Sequence, residues 1–159
     1  MLHFQDGSYL DWFVPHISPL SLTKDDTPWR KRDIARIPLK TTGIFHDRSR
    51  ETTHEFDNCE VELSPSKDGN LDDEANLLPD FEIRLWNETT TISFEINAVS
   101  RARWKFDQPT RGGMISHLTY NEYPFEVRQI SIQDSLGIRT LEDYEWIHGN
   151  AEHSWGFLH

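Results

Sequence analysis

Phe81-Glu82-Ile83-Arg84-Leu85-Trp86-Asn87-Glu88-Thr89-Thr90-Thr91-Ile92-Ser93-Phe94-Glu95-Ile96 is the stretch that decides the fold. Phe81, Ile83 and Leu85 alternate with Glu82 and Arg84. Asn87-Glu88-Thr89 breaks the pattern, and Ile92, Phe94 and Ile96 resume it against Thr91, Ser93 and Glu95. A period of two on either side of turn residues predicts an antiparallel hairpin with one apolar face. Toward the C-terminus, Ala102, Trp104 and Phe106 alternate with Arg101, Arg103 and Lys105 up to the turn signal Asp107–Gly113. A strand from Met114 to Tyr120 comes next, and Asn121-Glu122-Tyr123-Pro124 reads as a turn into Phe125 and Val127. The apolar parity then slips to Ile130 and Ile132, which predicts a bulge near Arg128-Gln129, since a slip of one residue otherwise turns every later side chain over. Asp134-Ser135-Leu136-Gly137 closes a last hairpin into Ile138–Ile147. Phe81 to Trp146 thus reads as five or six antiparallel strands.

The N-terminal side is less regular, and residues 1–33 read as an irregular segment. Ser8–Val14 is a strand or a helical turn stopped by Pro15, and Pro19 and Pro28 punctuate the residues after it. Trp29-Arg30-Lys31-Arg32 is the one dense basic patch and lacks the Gly-rich loop of a phosphate site. Ile34–Phe45 reads as a strand that Pro38 consigns to an edge. Thr52–Leu63 reads as one strand with Phe56, Cys59, Val61 and Leu63 facing in. Residues 64–80 form an acidic loop. Its Asp68–Glu74 run resembles the start of a calcium loop, yet Asp73 stands where Gly is needed and Pro79 where Glu is needed.

With 16 Lys+Arg against 27 Asp+Glu, the net charge of −11 argues against nucleic acid and anionic membrane as partners, because both require basic surface. The 159 residues are enough for one domain with its own core. Cys59 is alone, so no internal disulfide forms; beside Asp57 and Glu60 its thiol is expected to titrate high. Met1–Leu10 lacks the pattern of a secretion signal and no apolar run is long enough to span a bilayer, so a cytoplasmic location is expected. In that setting Asn87-Glu88-Thr89 is a turn and not a glycosylation site. His148, Glu152 and His153 cluster near the C-terminus, but Gly149 and Asn150 disfavour the helix that would place His148 and Glu152 on one face, and no metal is expected.

A family resemblance is carried by Phe81-Glu82-Ile83, Asn87-Glu88, Ile92-Ser93-Phe94-Glu95-Ile96 and Arg103-Trp104-Lys105-Phe106-Asp107-Gln108, with a fainter echo in Tyr120-Asn121-Glu122-Tyr123-Pro124. These stretches resemble the first hairpins of the phenolic acid decarboxylases and their lipocalin-like (calycin) relatives. The resemblance implies a barrel without cofactor that holds a small aromatic acid, with Arg103 on the substrate carboxylate and Glu122 handling protons. Those roles suit the groups: a guanidinium forks onto a carboxylate, and a glutamate in apolar surroundings can act as acid or base. The paired tyrosines of that family have no counterpart here, where Phe56 and Val61 occupy the preceding strand. A plainer reading puts Arg103 on a solvent face with Arg101 and Lys105, and Glu122 in a turn.

The expected fold is therefore all-β, an antiparallel meander closing into a calycin-like barrel, with a β-sandwich as the alternative. Three functions fit it. The reading placed first is a small-molecule barrel that binds, isomerises, cyclises or decarboxylates an aromatic or apolar acid. It would use Arg103, Glu122, His117 and Tyr120 for chemistry, and Trp104, Trp86, Phe94 and Phe106 as lining, and it requires a deep aromatic cavity. The second is an acidic inhibitor or immunity-type protein that docks on a basic enzyme; it requires a contiguous acidic face and a filled core. The third is a carbohydrate-binding sandwich with a flat aromatic platform. A homodimer is left open.

Overall fold

The computed structural model describes residues 1–17, 37–38, 40–66 and 77–158. They form strands β1 (Leu2–Phe4), β2 (Tyr9–Phe13), β3 (His16–Ile17), β4 (Ile37–Pro38), β5 (Thr42–Asp47), β6 (Thr52–Phe56) and β7 (Asn58–Pro65). The series continues with β8 (Pro79–Trp86), β9 (Thr91–Ala98), β10 (Ala102–Pro109), β11 (Ile115–Asp134), β12 (Gly137–Thr140), β13 (Ile147–Glu152) and β14 (Trp155–Leu158). A 3-10 turn at Leu141–Asp143 succeeds β12. β3 pairs with β4, and the other strands make one antiparallel sheet in the order β6-β5-β2-β1-β13-β11-β9-β8-β7, with β10, β12 and β14 added along β11. The sheet curls until β6 meets the β8–β9 turn, where Asn87 Nδ2 donates to the Glu55 carbonyl at 2.8 Å and Thr90 Oγ1 meets His54 Nδ1 at 3.1 Å. The result is a nearly closed all-β barrel, as the alternation of the central strands predicts.

The deciding hairpin folds for the expected reason. Phe81, Ile83, Leu85, Ile92, Phe94 and Ile96 are all buried, and Asn87 organises the turn by accepting the Thr89 and Thr90 amides at 2.9 and 2.8 Å. Inside the barrel, Trp12 packs edge-on against Phe94, Phe4 against Phe45, and Phe81 against Tyr123. With Leu2, Leu10, Ile130 and Ile132 also fully buried, these side chains form the core. The expected bulge lies between Val127 and Gln129, where the register with β9 shifts. Gly43 marks the seam: a methyl group there would land on Leu85 Cδ2, so only glycine lets β5 cross so close to β8.

Several expectations are corrected. Asn121–Pro124 is not a turn but the middle of the twenty-residue β11, because Asn121 and Tyr123 bury their side chains and Pro124 still accepts the Val99 amide at 3.0 Å. Thr52–Leu63 is two strands with a corner at Asp57, although Phe56, Cys59 and Leu63 do face in. The first 33 residues are not wholly irregular: β1 pairs with β13 and β2 with β5, driven by the burial of Leu2, Phe4 and Leu10. Ile34–Phe45 is not one edge strand, since β5 has β2 on one side and β6 on the other. The basic patch Trp29–Arg32 and the acidic run Asp68–Glu74 lie outside the described residues.

An ion cluster ties β5 to the β11–β12 hairpin. Asp47 is fully buried; one carboxylate oxygen accepts Arg139 Nη2 at 2.6 Å and the other accepts Ser49 Oγ at 2.7 Å. Arg50 bonds Asp134, and Arg139 also lies 3.7 Å from Asp134. Burial works to raise the Asp47 carboxyl, but the bonds from Ser49, Arg139 and the Arg50 amide outweigh it and hold the group below its ordinary value; Asp134 is held low by the Leu136 amide and Arg50 in the same way. A carboxylate whose folded-state pKa is depressed stabilises the fold above its ordinary pKa, and that stability drains away as pH falls through the folded-state value.

Acid melts are therefore expected to lose stability below about pH 4. Asp47→Asn flattens that dependence and costs about 3 kcal/mol at neutral pH by leaving the Arg139 charge with only the longer contact to Asp134. For the seam, Gly43→Ala is expected to cost about 1–3 kcal/mol in a denaturant titration, against little change for Gly112→Ala, where an added methyl group meets only Met114 Cε at an ordinary contact of 3.8 Å.

Candidate functional site

The sequence-predicted residues gather on one element. Six of them lie on a ribbon made of β10, the first half of β11, and β14, which stands beyond the barrel wall: Arg103, Trp104 and Phe106 on β10, and His117, Tyr120 and Glu122 on β11. Every residue of β10 is exposed, Trp104 and Phe106 at 45% and 42%. Alternation divides the six between two faces. Trp104 stacks on Tyr120 with ring centroids 4.6 Å apart, and Phe106 and Glu122 share that face. Arg103 lies opposite Asn121 on the other face, and His117 Nδ1 meets Asp107 Oδ1 there at 2.6 Å. Arg103 and Glu122 are therefore not brought together, and a carboxylate held by one would not lie beside the other.

Each face has its own electrostatics. Tyr120 donates to Glu152 Oε2 at 2.7 Å, and that bond, followed by burial and the charges of Glu152 and Glu122, pushes the phenol up to about 12. Glu122 accepts the Asn150 amide. The stacked rings of Trp104 and Tyr120 cover one another, which is unlike the flat platform a sugar ring would need. Of the remaining two predicted residues, Phe94 is a core side chain against Trp12. Trp86 lies on the outer face of the sheet, where Arg84 sits over its ring at 5.2 Å.

Two arrangements escape the sequence reading. The first is at the barrel end beneath the ribbon. Tyr123, the largest fully buried side chain, has its phenol pushed up to about 12 by burial, against the pull of the Arg101 and Arg103 guanidinium groups beside it. The Tyr123 hydroxyl, Arg101 Nη1 and Asn121 Oδ1 are buried without a hydrogen-bond partner. Reading 121–124 as a turn hid this, because the odd-numbered, core-facing parity of Asn121 and Tyr123 was the available signal.

The second arrangement is an acidic face. On the outside of β7, β8 and β9, Glu62 lies directly opposite Glu82, and Glu82 directly opposite Glu95. Glu60 stands beside this row, opposite Arg84, and Asp80 and Glu126 extend the charge along the next row through Asn97. The row floors a shallow open depression of about 320 Å³ whose rim includes Arg84 and Gln129. The outward parity of these glutamates is legible in the sequence; their alignment into a row depends on inter-strand register.

Cys59 is buried and its thiol is pushed up to about 12 by burial and by Glu60, so it is no nucleophile. His148 stacks on Trp146, His153 leans on Trp155, and the segment between is strand, not helix. Among the described residues no three His, Cys, Asp or Glu side chains converge as metal ligands, and no helix is long and apolar enough to cross a membrane. Comparison of the chain with protein-family models, with curated proteins and with solved structures gave no match, so the resemblance to the phenolic acid decarboxylases rests on the residues quoted for it.

Proposed function

We propose that this barrel is an acidic docking protein whose outer β7–β8–β9 face receives a basic protein. The observation that carries the reading is the row Glu62–Glu82–Glu95. Like charges placed directly opposite each other on neighbouring strands cost stability, roughly 0.2–1 kcal/mol for each pair. Lys or Arg side chains from a partner turn that repulsion into attraction, and the depression between the strands gives them somewhere to enter. A net charge of −11 would steer a cationic partner onto this face, with an on-rate that falls as salt rises.

A second reading has its own observation. The buried Tyr123 hydroxyl, acted on by the Arg101 and Arg103 guanidinium groups near it, and the buried Arg101 Nη1 are donors that suit the carboxylate of a small organic acid at the barrel end. This keeps the idea of an internal carboxylate anchor while replacing Arg103 and Glu122 with Arg101, Arg103 and Tyr123 as the residues that meet the ligand.

The docking reading predicts that Glu82→Gln raises unfolding stability by about 0.5–1 kcal/mol. It also predicts that the triple variant Glu62→Gln, Glu82→Gln, Glu95→Gln loses the cationic proteins of its host that the wild type retains at low salt. Equal retention by both baits, or destabilisation by Glu82→Gln, would overturn it. The small-acid reading predicts saturable Trp fluorescence changes with a panel of carboxylic acids. Arg101→Ala should weaken binding at least about tenfold, or 1.4 kcal/mol; no saturation with any acid sinks that reading alone.

A further inference from the structure

We propose that His3 and His148 form a two-histidine site for a late first-row divalent cation, Cu²⁺ before Zn²⁺, on the outer face of β1 and β13. The two residues are directly opposite each other in the antiparallel β1–β13 ladder. On one side of them the Asn150 amide donates to the Met1 carbonyl at 3.1 Å, and on the other the Gln5 amide donates to the Trp146 carbonyl at 3.2 Å. Hydrogen-bonded pairs recur at every second residue of such a ladder, so His3 and His148 are the hydrogen-bonded pair between these two, with Cα atoms about 5.5 Å apart. Their neighbours Leu2, Phe4 and Ile147 are buried, which turns both imidazoles outward, and both histidines are exposed.

Two imidazole nitrogens that each lie about 2.0–2.1 Å from one ion stand roughly 3 Å from each other. Side chains that leave neighbouring strands about 5 Å apart need lean together by only about 1 Å each to meet that spacing. His148 is steadied by Trp146, with ring centroids 5.0 Å apart and planes 20° from parallel. The lone pair of an imidazole lies in the ring plane, so a stack on the face does not compete with coordination at the edge. Among the described residues no side-chain hydrogen bond or ion pair engages either imidazole. Two rings carried on a paired ladder give up little freedom on binding, and there a chelating pair gains over a single histidine.

The same outer row continues through Tyr9, opposite His3, to His46, opposite Tyr9. His46 therefore stands two strands from His3, about 10 Å away, with Nδ1 against Thr53 Oγ1 at 3.1 Å. It does not join the pair, and the ion keeps two protein ligands with its other positions left to water. An open site of two imidazoles ranks ions by their intrinsic order, Cu²⁺ above Zn²⁺, and passes over Mg²⁺ and Ca²⁺, which take oxygen ligands. The net charge of −11 favours the approach of any cation. The bound ion bridges β1 to β13, the ladder through which β1 joins the barrel wall, so binding favours the folded chain.

Isothermal titration calorimetry on the whole chain, without a polyhistidine tag, tests this. Wild type is expected to take up Cu²⁺ at a single site with a Kd of about 10 µM or below, and Zn²⁺ more weakly. Its urea midpoint is expected to rise with saturating Zn²⁺. His3→Gln and His148→Gln are each expected to weaken both ions at least about tenfold and to abolish that rise. Their metal-free midpoints are expected to stay near that of the wild type, which shows that both variants fold. His46→Gln is expected to bind as the wild type does. No saturable uptake by wild type, binding that needs His3 but survives His148→Gln, or an equal loss with His46→Gln would each overturn the proposal.

Discussion

The structure depends on one long strand changing parity once. β11 runs for twenty residues and bonds to β9, β10, β12, β13 and β14. Before the bulge it buries Thr119, Asn121, Tyr123 and Phe125, all odd, while after it Ile130 and Ile132, both even, are buried. An unbroken ladder could not face both sets inward, because successive side chains alternate between faces. The extra residue between Val127 and Gln129 reconciles them. It lets one strand close the barrel at one end and leave the barrel wall to carry the ribbon at the other.

That division explains why the barrel and its surfaces have different characters. Where β11 lies among β9, β8 and β13, both strand edges are paired and one face is dry, so the interior is aromatic and aliphatic and packs like a core. Where it runs out beside β10 and β14, no second layer is present among the described residues, and large side chains reach water. The charged groups sort accordingly. The Asp47, Arg139, Arg50 and Asp134 cluster pairs its charges with one another and holds β5 to the β11–β12 hairpin. The glutamates of β7, β8 and β9 face outward, and the Tyr123 end of the barrel keeps polar atoms that lack a hydrogen-bond partner.

The legible part of this architecture is the part with short-range cause. The β8–β9 hairpin follows from its period of two and from Asn87, and the bulge from the slip between Val127 and Ile130. The continuity of β11 was hidden because Asn121 and Pro124 are turn formers by local preference, and burial of Asn121 and Tyr123 overrode that preference. For the site, alternation places Arg103 on its strand while local preference puts Glu122 in a turn, and whether the two share a face depends on the β10–β11 register, which pairs Arg103 with Asn121 and Glu122 with Ala102. The same limit hid the Glu62–Glu82–Glu95 row, whose members come from three strands and meet only once the pairing is fixed.

The pairing of β1 with β13 sets an order of assembly. Leu2 lies opposite Gly149 and Phe4 opposite Ile147, so β1 must wait for a strand made much later in the chain before its ladder can form. The β8–β9 hairpin and the β11–β12 hairpin close over a few residues and can form early, whereas sealing the wall through β1 brings together segments from opposite ends of the sequence and carries the full entropy of a long loop. Folding should then proceed from the middle of the chain outward, with Leu2, Phe4 and Leu10 exposed to solvent until the final closure. During synthesis those side chains are a hazard that the finished barrel conceals.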